Sequence, residues 1–166
     1  GLAEASGEII ALLEDHARVD SQWCARISHA HRQAYAVIGG AIENGLDLPL
    51  NWAVYFCDFF RYQNPLPEGP SGFASDANSS YKRSALESIR PIWQEVFHET
   101  AVNGTLLERG ETIALSPGIV VYQNRQDLQT QAALRERFVW GRSYASTRSH
   151  LVSTASRVIY AALSPV

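Results

Sequence analysis

The chain has 166 residues, of which 46% are hydrophobic and 19% charged, and its net charge is −3. That is enough sequence for one globular domain with a core, and it carries no overall basic footprint of a nucleic-acid binder. No apolar run reaches the roughly 18 residues that a membrane-crossing helix requires. The charge is uneven. Residues 1–122 hold 8 basic and 15 acidic side chains, a balance of −7, whereas residues 123–166 hold 6 and 2, a balance of +4. A basic tail on an acidic body points to an anionic partner, phosphate or a lipid surface, or else to a solvated helix face. Cys24 and Cys57 lack metal-type spacing and read as small core residues in a reducing compartment.

The first element is an apolar run, Glu8-Ile9-Ile10-Ala11-Leu12-Leu13, ending in Glu14-Asp15-His16. This reads as a buried strand that delivers three polar side chains to its carboxyl end, where ligands bind in open α/β sheets. Adjacent carboxylates repel unless a cation or a hydroxyl-rich ligand lies between them, and carboxylate with imidazole suits Mn²⁺ or Mg²⁺. The alternative is a strand followed by a polar turn.

Asp20 or Ser21 can cap a helix carrying Trp23, Ile27 and Ala30. Tyr35 to Ile42 reads as a second strand, with Gly39-Gly40 marking a bulge or a close backbone approach. Trp52, Tyr55, Phe56, Phe59 and Phe60 recur at helical spacing and predict an inward-facing aromatic stripe. Three prolines and two glycines make residues 64–72 a loop. Residues 78–83 are polar, then basic, and lead into a helix with Ala85, Leu86 and Ile89. Pro91 opens the next, with Trp93, Val96 and Phe97 inward. That helix carries His98-Glu99, and Leu106 and Leu107 mark a further helical turn that Gly110 closes. A zincin would need His at Val102, so that reading is excluded. Thr112–Leu115 and Ile119–Tyr122 read as short strands. Residues 127–148 predict a long amphipathic helix with Arg135, Arg137, Arg142 and Arg148, and residues 150–163 another. Alternating strands and helices predict an α/β fold with a mixed, mostly parallel sheet flanked by helices.

Four stretches in order resemble family 2 glycosyltransferases of the GT-A fold. Gly1 to His16 resembles the family's approach to its metal motif. Asn78-Ser79-Ser80-Tyr81-Lys82-Arg83 resembles its acceptor-side segment. His98-Glu99 ahead of Leu106, Leu107 and Gly110 resembles the acidic pair that holds the base. Phe138-Val139-Trp140-Gly141-Arg142-Ser143 resembles the helix after the catalytic domain. Two departures are visible: the metal motif reads Glu-Asp-His rather than an Asp-rich triplet, and the base pair reads His-Glu.

The resemblance implies an inverting, metal-dependent transfer of sugar from a nucleotide-diphosphate donor to an acceptor hydroxyl. The acceptor would be a saccharide or a lipid-linked compound. Asp15 and His16 would hold Mn²⁺ or Mg²⁺, and Glu99 would be the general base. Glu14, Asn78, Lys82, Arg83, Trp140 and Arg142 would bind substrate. Residues 1–122 would form a partial GT-A catalytic domain whose nucleotide-binding start precedes Gly1, and residues 123–166 an arginine-rich helical segment. A cytoplasmic protein is implied, with peripheral contact at the inner membrane face through residues 127–148. Two rival readings stand beside it: a non-catalytic transferase-like interaction module, and a metal-dependent phosphohydrolase built on Glu14, Asp15 and His16.

Overall fold

The computed structural model describes residues 1–149 and 153–163. The chain divides into two compact units, Gly1–Gln126 and Asp127–Val166, with the boundary a few residues beyond the expected one.

The first unit is built on a six-stranded sheet. Its strands are β1 (Ile9–Leu13), β2 (Ala17–Val19), β3 (Val37–Asn44), β4 (Gly69–Ser71), β5 (Asn78–Lys82) and β6 (Ile113–Gln123). The order is β1-β5-β3-β6-β2, and β4 also pairs with β6. The sheet is mixed, as expected, but not mostly parallel. Only β3 and β6 run parallel; the other four pairings are antiparallel. Two of the four come from β5, which runs backwards between β1 and β3, and two from β2 and β4, which run against β6.

Successive strand residues face opposite sides, and both sides of this sheet are covered. On one side Val37, Tyr81 and Ile113 pack with Leu86 and Ile89, from and just after α3 (Arg83–Ser88), with Trp93 of α4 (Arg90–Trp93), and with Val102 and Leu106 of α5 (Glu99–Glu108). On the other, Ile38, Ala114, Ile119 and Val121 pack against Trp23 and Ile27 of α1 (Trp23–Ala30). Each such fully buried side chain contributes about 1.5–3 kcal/mol of hydrophobic stabilisation.

Gly39 and Gly40 do mark both a bulge and a close approach. The β3–β6 register shifts between Gly40 and Ala41, because Pro117, Gly118 and Ile119 loop out of β6. A Cβ on Gly39 would sit 2.8 Å from Ala74 Cβ. A Cβ on Gly40 would overlap Ile119 O and the Asn78 amide. The two short strands expected between residues 112 and 122 are thus one bulged strand. Gly110, at φ 82°, ends α5 as expected.

Other expectations are corrected. The aromatic helix spans Pro49–Asp58 (α2), and a 3-10 turn follows at Phe60–Tyr62. Tyr55 is buried, but Phe56 and Phe60 are exposed, so the stripe does not all face inward. The helix buries Asn51, Val54 and Tyr55, a face rotated from the one the aromatic spacing outlines. The Pro91 helix stops at Trp93, and Val96 is exposed. Cys24 and Cys57 are both exposed. The Pro-rich loop contains strand β4.

The second unit holds α6 (Thr130–Ser149) and α7 (Thr154–Leu163). The expected start of the last helix, residues 150–152, and the side chain of Arg148 lie outside the described residues. Along α6 the charges are not segregated. Arg142 lies over the Phe138 ring at 5.8 Å, and at 100° per residue Leu134, Val139 and Trp140 fall on three different sides. Among the described residues, no helix is long and apolar enough to cross a membrane.

Candidate active site

β1 ends at Leu13, opposite Asn78 of β5, and presents Glu14, Asp15 and His16 just beyond. The Ala17 N–H donates to Glu14 O (3.1 Å), turning the chain into β2, which pairs with the end of β6. That pairing sets Gln123 beside the cluster, where its Nε2 donates to Glu14 Oε2 at 2.8 Å. The His16 ring spans both carboxylates: Nε2 is 3.1 Å from Glu14 Oε2, and Nδ1 is 3.0 Å from Asp15 Oδ1. Burial raises the Glu14 carboxyl above its usual range, against the Gln123 hydrogen bond and the His16 charge. Hydrogen bonding and charge from His16 hold Asp15 below its usual range.

Glu99 is the first residue of α5. Its Oε2 accepts a 2.7 Å hydrogen bond from the Asp76 backbone N–H. Burial pushes its carboxyl up to about 7, and the charge of Asp76 adds to the rise. The Asp76 N–H and the Arg61 charge oppose it. Asp76 was not foreseen, yet its charge also raises Glu14. One acidic side chain therefore stands within electrostatic reach of both the β1 end and the α5 start. The walls beside it are aromatic. Tyr62 packs edge-on against Phe73 at 5.7 Å, and Arg61 covers the Phe73 ring at 3.7 Å. The hydroxyl of Tyr62 is pushed up to about 12 by burial and by the Glu99 and Asp76 charges.

Asn78, Lys82 and Arg83 are not brought here. Asn78 is buried and fully engaged: Oδ1 accepts from Trp23 Nε1, and Nδ2 donates to Ala41 O and Ile119 O. Lys82 pairs with Ile9, so it and Arg83 lie at the opposite end of β1 from Glu14. Lys82 Nζ donates to Gln33 O, and the Arg83 guanidinium donates to Gly7 O and Ala5 O, holding the residues before β1. These three are scaffold residues. Trp140 and Arg142 belong to the second unit, where both are exposed and the Trp140 ring stacks on Tyr144 at 5.7 Å.

Among the described residues, no group of three or more His, Cys, Asp or Glu side chains is arranged to hold a metal ion. Mg²⁺ and similar cations need less than that when a substrate diphosphate supplies oxygens: one or two protein carboxylates suffice. Asp15 fits such a role, since its side chain is 99% exposed and ionised. His16 does not fit in this arrangement, because both ring nitrogens already face carboxylates.

No family model matches the chain, and no curated protein sequence matches it.

Proposed function

We propose that the protein is an inverting glycosyltransferase that moves a sugar from a nucleotide-diphosphate donor to an acceptor hydroxyl. The observation that carries this reading is Asp76, whose charge acts on both Glu14 and Glu99 and so ties the β1 end to a base-like carboxyl on α5. A general base works best when its pKa lies near the working pH, and Glu99 at about 7 meets that condition. Glu99 takes the proton of the acceptor hydroxyl as its oxygen bonds to the anomeric carbon. The bond from that carbon to the diphosphate oxygen breaks, and its electron pair leaves with the diphosphate. A divalent cation, when bound, neutralises the charge gathering on that leaving group. Asp15 would anchor it, and Glu14, steadied by Gln123, would meet donor hydroxyls.

The test is release of nucleoside diphosphate from a panel of nucleotide-diphosphate sugars with Mn²⁺ or Mg²⁺. One donor should be turned over, EDTA should stop the release, and Glu99→Gln should slow acceptor transfer by roughly 10²-fold or more. Phosphate release without sugar preference would favour a phosphohydrolase instead.

The His16 ring, closed onto both carboxylates, favours a second reading, a non-catalytic interaction module. It predicts no Mn²⁺ binding and no turnover of any donor.

A further inference from the structure

From Ala74 to Ser80 every residue is buried except Asp76. The segment is fixed by its own turn: Asn78 N–H donates to Ser75 O (3.1 Å) and Ala77 N–H to Ser75 Oγ (3.3 Å). Asn103 of α5 also donates to Ala74 O at 3.1 Å, tying the segment to the helix that carries Glu99. The Asp76 backbone N–H is thus fixed on Glu99 Oε2, and the Asp76 charge acts on the Glu99 carboxyl.

We propose that Asp76 is the positioning residue of the base: its N–H pins one oxygen of Glu99, and its charge sets how readily Glu99 takes the acceptor's proton. This rests on the glycosyltransfer reading. A like charge so close makes it costly for Glu99 to ionise. While Glu99 holds a proton, it cannot accept another. Once that proton is lost to solvent, Glu99 is an ionised base whose orientation the Asp76 N–H still fixes. The acceptor proton ends on Glu99.

The charged and titratable groups facing Glu99 are Asp76, Arg61 and the Tyr62 and Tyr81 hydroxyls. Of these, Asp76 is the one whose charge holds the proton on. Asp76→Asn keeps the N–H and the side-chain size and removes the charge. In the whole protein, the carbon-13 carboxyl resonance of Glu99, assigned by its loss in Glu99→Gln, should then titrate lower by about half a pH unit or more. The rising limb of kcat/KM against pH should move the same way. At high pH kcat should fall several-fold, because a less basic carboxylate takes a proton less readily, while the acceptor KM changes by less than about twofold.

An unmoved Glu99 titration in Asp76→Asn overturns the proposal, whatever the activity. A moved titration with kcat unchanged and the acceptor KM raised also overturns it, by making Asp76 a binding group. A moved titration in a protein whose wild type transfers no sugar leaves the Asp76–Glu99 pairing standing and removes glycosyl transfer.

Discussion

The Trp23 indole N–H donates to Asn78 Oδ1 at 3.1 Å, joining α1 to β5 across the sheet. The same amide donates to Ala41 O (2.7 Å) and Ile119 O (2.9 Å), so one side chain ties α1, β3 and the β6 bulge. Asn78→Ala would leave an indole N–H and two carbonyls without their partner in a place closed to water. Each buried group stranded in this way costs roughly 1–3 kcal/mol. The expected result is a loss of about 3 kcal/mol or more in urea unfolding, with Mn²⁺ affinity at the β1 end unchanged below the transition. Undiminished stability with lost donor binding would return Asn78 to the substrate site.

Gly40 lies against the same amide. Gly40→Ala puts a methyl group into the Ile119 carbonyl and the Asn78 side chain, neither of which can swing aside without breaking the bonds just described. Overpacking of this kind costs typically 1–3 kcal/mol, and the backbone contact places it at the upper end. Gly118→Ala is the control, because a Cβ there meets nothing within 4 Å. Thermal unfolding of the two variants should differ clearly; equal melting temperatures would mean that the bulge yields.

At the β1 end, Asp15→Asn replaces an exposed, ionised carboxylate by a neutral amide of the same size. Mn²⁺ affinity, read by electron paramagnetic resonance in the presence of a nucleoside diphosphate, should fall about tenfold or more. His16→Ala should leave affinity unchanged or raise it, because the ring releases both Glu14 and Asp15. Equal losses from the two variants would make His16 a ligand and require the ring to leave its present partners.

These residues also show where the sequence was readable. β1 was legible because an apolar run stops abruptly at three polar side chains, and Gly110 marked the end of α5 because only a positive φ closes the helix there. β5 was not legible. Asn78-Ser79-Ser80-Tyr81-Lys82 lacks both β-branched residues and apolar alternation. Its burial depends on side-chain hydrogen bonds, among them Ser80 Oγ to His31 and Tyr81 to Asn103, that appear only once the strands are assembled. The mostly parallel sheet failed with it, since an unrecognised reversed strand hides two antiparallel pairings. The aromatic spacing of α2 located a helix but not its buried face: Tyr55 is buried with its hydroxyl on Ile42 O, Trp52 and Phe59 are only partly buried against that cluster, and Phe56 and Phe60 face out. Within the site, Glu14, Asp15 and Glu99 stood out as motif residues. Asp76 did not, for it sits in a small polar run and gains meaning only from its contact with Glu99.

Two buried or half-buried titrating groups, His31 and Glu99, make opposite demands on stability as pH changes. The His31 ring is buried, with Nε2 2.9 Å from Ser80 Oγ and Nδ1 without a hydrogen-bond partner among the described residues. Burial, together with the Lys82 charge, lowers it from 6.5 to about 4. Between those values the unfolded chain takes up a proton that the folded one refuses, so its contribution is complete above 6.5 and is lost as pH falls toward 4. Glu99 is raised from 4.5 to about 7, so over that interval the folded state holds a proton that the unfolded one has released. Its contribution is complete below 4.5 and is lost as pH rises through 7. Each slope is limited to about 1.4 kcal/mol per pH unit, and the Glu99 slope is the smaller because its carboxyl is only partly buried. In the wild type the two offset each other where they overlap. Removing either group should expose the other. Glu99→Gln should give a protein whose stability climbs with pH from about 4 to 6.5, and His31→Gln one whose stability declines with pH from about 4.5 to 7. Urea midpoints at half-unit pH steps separate the two, and parallel curves for wild type and both variants would show that neither group titrates as its surroundings dictate.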